Sequence, residues 1–159
     1  MVSVTNPETA SPAERFRLRE FLALWNRALD RADLAVLRRL TLADASFAYE
    51  DAAYDGPGAL DRFVAARAGR GDFAQRTHVN HLQAWRLDDG FRTRAMSMIV
   101  HMRADTSPFG DGAPTAAWVG YTEDIVCETD DGPRIAARRF VRWHGFLGAR
   151  PGPREGDTA

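Results

Sequence analysis

The sequence predicts an α+β fold in which three N-terminal helices precede a long, mostly antiparallel sheet. Apolar residues recur at helical spacing up to about residue 67, and the period changes to strand-like from Gln75 onward. Two Asp-Asp-Gly triplets, at 88–90 and 130–132, then mark hairpin turns between strands. Helices followed by a run of strands are typical of α+β folds. We expect a curved sheet that wraps around the helices and leaves a pocket between them.

The helices are predicted by their start signals. Residues 11–14 (Ser-Pro-Ala-Glu) form a capping box with proline at the first helical position, so the first helix runs over about 12–31. Asp33 caps a second, short helix, and the spacing of Leu60, Phe63, Val64 and Arg67 predicts a third. Asp30 lies near the C-terminal end of the first helix, where the helix dipole disfavours a carboxylate. We therefore expect Asp30 to have a compensating partner.

The remaining segments are predicted as strands, a loop and tails. Alternation predicts a strand over 45–50 and four more over 75–88, 91–104, 115–128 and 134–144. The loop 106–114, rich in proline and glycine, is a lid candidate. We expect one domain over 12–147, a flexible tail over 1–11 and a disordered tail over 148–159.

Composition excludes several classes of function. The chain has 159 residues, a formal net charge of −1 and 45% hydrophobic residues, so no overall field attracts nucleic acid or an anionic membrane. All 21 basic residues are arginine, which excludes Schiff-base chemistry and the phosphate-loop lysine. The single cysteine, Cys127, is expected to be a small apolar strand residue. With neither a signal peptide nor an apolar run of roughly 18 residues, the chain is expected to be cytoplasmic.

Strand alternation divides the candidate site residues between two faces. His101 shares its face with small residues that leave room for a ligand, namely Ala95, Ser97 and Ile99. The opposite face is apolar and predicts a homodimer or a higher homo-oligomer; it carries Met96, Met98, Val100 and Met102. On the preceding strand His78 shares a face with Asn80 and Leu82, and His81 points the other way.

The order of these features resembles the SnoaL-like branch of the nuclear-transport-factor-2-like superfamily, over about residues 14–143. The matching segments are Trp25, Leu29-Asp30, Asp33, Asp44 to Tyr49, Gly56, Arg76-Thr77-His78, Gly120 to Glu123, and Arg134 to Arg138. The resemblance implies a cystatin-like α+β barrel with a deep pocket. A hydrophobic small-molecule substrate is the partner it implies.

Within that branch the chain is similar to scytalone dehydratases. The resemblance implies that Asp30 pairs with His101, that His78 stands opposite them, and that Tyr49 polarises a carbonyl group. Histidine is a suitable base at neutral pH, and a carboxylate on its second nitrogen fixes the tautomer. Leu29 replaces a tyrosine of that enzyme, and Glu123 stands near its asparagine.

Other polar and aromatic residues are candidates for the pocket wall. Tyr54 is a second candidate to hold a carbonyl, and Glu123 either touches the substrate or bonds to Arg138 or Arg94. The remaining substrate-contact candidates are Trp25, Phe47, Asn80, Trp118 and Tyr121. No metal or cofactor is expected, because His78 and His81 point to opposite faces and no His-x-His or His-Glu-x-x-His motif is present.

The leading functional hypothesis is a cofactor-independent dehydratase, isomerase or cyclase. Its substrate class is a hydrophobic, oxygenated cyclic molecule of polyketide, steroid or terpenoid type, from bacterial secondary metabolism or catabolism. One alternative is the non-catalytic small subunit of a ring-hydroxylating dioxygenase, and another is a ligand-binding module. Asp30, His78 and His101 also have structural interpretations; for Asp30 the alternative is a buried acid that caps a loop or pairs with an arginine.

Overall fold

The computed structural model describes residues 8–49, 52–68, 73–103 and 115–142, with backbone alone at 68, 73–76, 100–103 and 115–118. The elements in chain order are α1 (Pro12–Asp30), α2 (Leu34–Arg39), β1 (Thr41–Tyr49), β2 (Ala52–Tyr54), α3 (Ala59–Ala68), β3 (Phe73–Leu87), β4 (Gly90–Arg103), β5 (Thr115–Thr129) and β6 (Gly132–Arg142). The predicted α+β class is confirmed. The predicted lid at 106–114 and the predicted tail at 148–159 lie outside the described residues.

Local signals fix the starts of α1 and α2. The Ser11 hydroxyl accepts from the Glu14 backbone N–H, and the Glu14 carboxylate accepts from the Ser11 N–H at 2.8 Å, which completes the capping box. The Asp33 carboxylate caps α2 by accepting from the Val36 N–H at 3.1 Å. Both predicted helix starts are therefore correct.

The strands form one open six-stranded sheet in the order β2-β1-β6-β5-β4-β3. β1 pairs with β6 in parallel, and the other neighbouring pairs are antiparallel. Both predicted Asp-Asp-Gly turns connect adjacent strands. The short strand β2 was not predicted, and β1 begins at Thr41 instead of 45. The sheet is not closed, so β2 and β3 are its edges.

The two faces of the sheet differ in burial. The inner face packs against the helices and carries the buried residues of β4 and β5, namely Thr93, Ala95, Ser97, Ile99, Thr122, Asp124 and Val126. Residues between them, such as Met96 and Glu123, point to the outer face and are partly exposed. Any pocket between helices and sheet must therefore use inner-face side chains.

The part of the expected N-terminal tail that the structure describes, residues 8–11, lies against the sheet edge. Thr9 pairs with Trp85 of β3, the Ala10 N–H donates to the Ala84 carbonyl at 3.0 Å, and Ala10 is buried. An edge strand has unpaired backbone groups, and this segment satisfies part of them. Residues 1–7 lie outside the described part of the chain.

Candidate functional site

The Asp30 carboxylate lies at the end of α1 and bonds to the edge strand β3. Its side chain is only 6% exposed. Oδ2 accepts from the Thr77 backbone N–H at 2.8 Å, and Oδ1 accepts from the Thr77 hydroxyl at 2.9 Å. The Arg67 guanidinium of α3 is 3.7 Å from Oδ1. Asp30 thus has the compensating partners that its place in the helix dipole requires.

His101 lies on β4, which is the neighbour of β3, the strand to which Asp30 is hydrogen-bonded. Thr77 pairs with Ile99 across β3 and β4, and His101 follows Ile99 by two residues, or about 7 Å along a strand. The backbone of His101 pairs with Gln75 of β3 and with Thr115 of β5. The side chain of His101 lies outside the described residues, so the Asp30–His101 contact stays a prediction.

Close to Asp30, a small cavity of about 20 Å³ lies between the helices and the inner face. Its polar lining includes Asn26, Thr77, Thr122 and Arg138, and its apolar lining includes Leu29, Tyr49, Phe63, Ile99 and Phe140. A space of this size accommodates one water molecule. At this place the described residues therefore leave room for a single oxygen atom within a mainly apolar wall, and this cavity is too small for a ring system.

A buried ionic network adjoins the cavity and was not foreseen from the sequence. Arg138 donates through Nε and Nη2 to the two oxygens of Asp124, at 2.6 and 3.1 Å, and through Nη1 to the Asn26 Oδ1 at 2.7 Å. Its guanidinium also lies 4.0 Å from the centre of the Trp25 ring. The predicted partner of Arg138, Glu123, is on the other face. The available signal was alternation, because Asp124 and Arg138 occupy inner-face positions on β5 and β6.

The aromatic candidates of α1 and β1 are buried in the core. Trp25 donates its indole N–H to the Thr41 hydroxyl at 3.0 Å and stacks on Phe47, whose other face stacks on Phe63. Tyr49 is 8% exposed, stacks on Phe140 and lines the cavity. Of the predicted catalytic residues with described side chains, Tyr49 therefore lines the cavity, and Asp30 is bonded to Thr77, which lines it too. Tyr54 is half-buried and meets the Phe63 ring edge-on.

His78 and Asn80 lie on the outer face, which corrects the predicted arrangement. Thr77 points inward to Asp30, so its neighbour His78 points outward; His78 is exposed and pairs with Met98. A bulge follows Asn80, with His81 at φ +50°, and it turns Leu82 towards the core. Strict alternation had placed Leu82 with His78. The structure therefore does not bring His78 or Asn80 to the cavity.

Tyr121 and Glu123 are also outer-face residues and do not reach the cavity. Glu123 accepts hydrogen bonds from Arg92, Arg94 and Arg139, and the Arg94 guanidinium lies 4.6 Å from the Tyr121 ring centre. Burial raises the pKa of Glu123. The hydrogen bonds from the three guanidinium groups lower the pKa by more than burial raises it, and the resulting pKa is about 2. Glu123 is therefore negatively charged at neutral pH. The Trp118 side chain lies outside the described residues.

Three further sequence predictions concern metal binding, the role of the Cys127 thiol and membrane-spanning segments. Among the residues that the structure describes, no three His, Cys, Asp or Glu side chains cluster closely enough to hold a metal ion. Cys127 is a half-buried residue of β5, and burial, followed by the charges of Asp89 and Asp44, raises the pKa of its thiol. Within the same part of the chain, no helix has both the length and the apolarity to cross a bilayer.

Comparison with known proteins identifies one family. The sequence profile of the SnoaL-like domain matches residues 13–139, which span α1 to β6 and include the cavity and its ionic network. No curated protein sequence matches the chain.

Solved structures share the fold at low sequence identity. Aln2 from a Streptomyces species has a TM-score of 0.71 and 21% identity, over 85% of this chain and 94% of that one. ActVI-ORFA from Streptomyces coelicolor has a TM-score of 0.70 and 14% identity, over 82% and 97%. The beta subunit of a putative aromatic-ring-hydroxylating dioxygenase from Novosphingobium aromaticivorans has a TM-score of 0.66 and 15% identity, over 83% and 92%. At these identities the likeness concerns the fold alone.

Proposed function

We propose that this chain, which belongs to the SnoaL-like domain family, is a cofactor-independent acid–base enzyme for a hydrophobic, oxygenated cyclic small molecule. The observation that carries the proposal is the Asp30 carboxylate, 6% exposed, held at the inner wall one strand from the backbone of His101. A buried carboxylate beside an imidazole is the arrangement that a histidine base requires. Dehydration ranks first among the reactions, followed by isomerisation and cyclisation.

In the proposed mechanism His101 removes a proton from the carbon next to a carbonyl group. Asp30 fixes the ring orientation and stabilises the imidazolium that forms. Thr77 in turn fixes the Asp30 carboxylate through two hydrogen bonds, so the base is preorganised by the edge of the sheet. Tyr49, which lines the cavity, is the residue that polarises the carbonyl in this proposal.

Enolisation of a simple cyclic ketone tests this proposal without knowledge of the natural substrate. 1-Tetralone is incubated with the protein in D₂O, and deuterium uptake next to the carbonyl is followed by NMR. We expect the wild type to accelerate the exchange, and His101→Ala to lose about 10²-fold or more, the usual contribution of a general base. Asp30→Asn should lose a similar factor.

His78→Ala is the matched control for His101→Ala. If His78 were catalytic, as the sequence pattern predicts, this variant would lose exchange activity. Because His78 lies on the outer face in the structure, we expect the exchange rate of His78→Ala to equal that of the wild type. Equal loss in both histidine variants would contradict the inner-face site. Exchange that neither His101→Ala nor Asp30→Asn affects would contradict the proposed function.

A non-catalytic subunit is the second candidate, and two observations favour it. Both Asp30 oxygens already accept hydrogen bonds from Thr77, and the cavity of about 20 Å³ is too small for a ring. If the chain is the small subunit of a dioxygenase, it should copurify with a large iron–sulfur partner. If it is a ligand-binding module instead, it should hold a small molecule without changing it. Asp30→Asn would then lower the melting temperature strongly, while the enzyme hypothesis expects a small change.

Self-association through the outer face belongs to the same proposal. Met96 and Met98 are partly exposed there, in the middle of β4. We expect light scattering to give a homodimer for the wild type and a smaller species for Met98→Glu, because a buried unpaired carboxylate opposes association. An unchanged mass for both proteins would exclude this face as the interface.

A further inference from the structure

One buried polar atom at the cavity wall is left unsatisfied by its surroundings. Asn26 is 2% exposed, and its Nδ2 finds no hydrogen-bond acceptor among the described residues. A buried donor without a partner costs about 1–3 kcal/mol, and such groups in native structures are few. An unsatisfied amide at the wall of a cavity indicates a place where another molecule supplies the acceptor.

The orientation of the Asn26 amide is fixed by charge. The Arg138 Nη1 donates to Oδ1 at 2.7 Å, and a flipped amide would set its NH₂ group against the guanidinium. Arg138 is itself held by two hydrogen bonds to Asp124. The amide therefore offers only N–H donors away from Arg138, and the bond to the guanidinium polarises it and strengthens those donors.

The position of Asn26 relates it to Asp30. The two residues are four apart on α1, so their side chains lie on one face about 6 Å apart along the helix. Asn26 and Thr77, the partner of Asp30, line the same cavity of about 20 Å³. The helix thus presents the Asn26 donor to a small space with room for an oxygen atom, and Asp30 is bonded to Thr77 in the wall of that space.

We propose that Asn26 is a substrate-binding residue whose Nδ2–H donates to the carbonyl oxygen of a cyclic ketone. This inference rests on the proposed function and adds the substrate group that the site recognises. As His101 takes the proton from the adjacent carbon, the electron pair of the broken C–H bond forms a C=C bond, and the π pair of the C=O bond moves onto the oxygen to give an enolate. Asn26 stabilises that charge, and the proton later returns from His101 to carbon or to a leaving hydroxyl group. The cavity itself has room for the carbonyl oxygen alone and not for the ring.

Binding of 1-tetralone to Asn26 variants tests the inference. Affinity is measured by calorimetry, and the carbonyl stretching band of the bound ketone by infrared spectroscopy. We expect Asn26→Leu, which keeps the approximate size and removes the donor, to bind about tenfold more weakly, the equivalent of about 1.4 kcal/mol. The carbonyl band should lie at lower wavenumber on the wild type and move up on the variant. Asn80→Leu, the same substitution on the outer face, is the matched control and should change neither quantity.

A second variant keeps the test valid if Asn26→Leu does not fold. Asn26→Asp replaces the N–H donors with oxygen and retains a partner for Arg138, so it should fold and still lose ketone affinity. Unchanged affinity and band position in folded variants overturn the inference, and so does a wild type that does not bind the ketone. A crystal structure in which a water molecule stays on the Asn26 Nδ2 beside the bound ketone overturns it as well.

The two proposals fail in different ways. If tetralone binds through Asn26 but the protein does not accelerate deuterium exchange, the substrate-oxygen site stands and the enzymatic function fails. If exchange is accelerated and Asn26→Leu changes neither affinity nor the carbonyl band, the enzymatic function stands and the role of Asn26 fails.

Discussion

Glu123 and Asp124 are consecutive carboxylates on β5, and they show how one residue step changes the environment of a side chain. Asp124 points to the inner face and pairs with Arg138, with the two side chains 0% and 5% exposed. Glu123 points to the outer face and pairs with Arg139, whose side chain is 59% exposed. Even the arginines are consecutive. Carboxylate and guanidinium groups therefore form a buried network next to the cavity and, on the opposite face, a cluster with exposed arginines around a Glu123 side chain that is 12% exposed.

The two pairs should differ in energy although both have short contacts. Removing one member of a buried pair leaves an uncompensated charge in the interior, which costs about 3–5 kcal/mol. An exposed pair is screened by water and contributes roughly 0–1 kcal/mol. Glu123 shares its carboxylate among three guanidinium groups, so loss of one arginine leaves two others.

The largest expected effect is the difference between Arg138→Met and Arg139→Met. Arg138→Met should lower the free energy of unfolding by about 3–5 kcal/mol because Asp124 is left buried without its partner. Arg139→Met should lower it by less than about 1 kcal/mol. Urea denaturation followed by circular dichroism measures both.

A double variant separates charge from packing in this comparison. Arg138→Met combined with Asp124→Leu removes both charges and should cost less than Arg138→Met alone, because no unpaired ion remains. If the two single arginine variants lose equal stability, the assignment of Arg138 to the inner face is wrong.

Sequence patterns could predict the faces of regular strands but not the places where the pattern breaks. The capping box of α1, the Asp33 cap and the two Asp-Asp-Gly turns are local signals, and the structure has all of them. The bulge after Asn80 inserts a residue and moves Leu82 to the core side. No local signal marks such a bulge, so a prediction based on alternation alone placed Leu82 on the wrong face.

The site could be predicted in part for the same reason. Asp30 stands out because a carboxylate opposes the dipole at a helix end. Its partner Thr77 was not predicted, because the contact depends on how α1 lies against the edge of a distant strand. The Asn26–Arg138 contact joins α1 to the last strand and needed the tertiary fold. Glu123 was associated with a ligand because it stands near the asparagine of the resembled enzymes, although strand alternation places it on the face opposite to Asp124.

A smaller change in stability is expected when the pH alters the charge of Glu123, which pairs with Arg92, Arg94 and Arg139 on the outer face. The pKa of Glu123 is 4.5 ordinarily and about 2 in the folded chain. Since the folded pKa is the lower one, its stabilisation is present above about pH 4.5 and is lost as the pH falls towards 2. Wild type should exceed Glu123→Gln in stability by about 1 kcal/mol at pH 6, with solvent screening taken into account. That difference should fall towards zero between pH 4.5 and 2, as measured by urea denaturation at several pH values. A constant difference would show that the cluster does not depend on the carboxylate charge.

Salt concentration should have the smallest effect on stability, but it should distinguish most clearly between the ion pairs of the inner face and those of the outer face. At 1 M salt the Debye length falls to about 3 Å, so an exposed pair is largely screened and a buried pair is not. The destabilisation by Arg139→Met should therefore shrink by a few tenths of a kcal/mol between low salt and 1 M NaCl, on the scale of an exposed ion pair. The destabilisation by Arg138→Met should stay constant, because neither ions nor water reach the Asp124 carboxylate. Equal salt sensitivity of the two variants would mean that solvent penetrates the inner network, and Asn26 would then have water as its partner instead of a substrate oxygen.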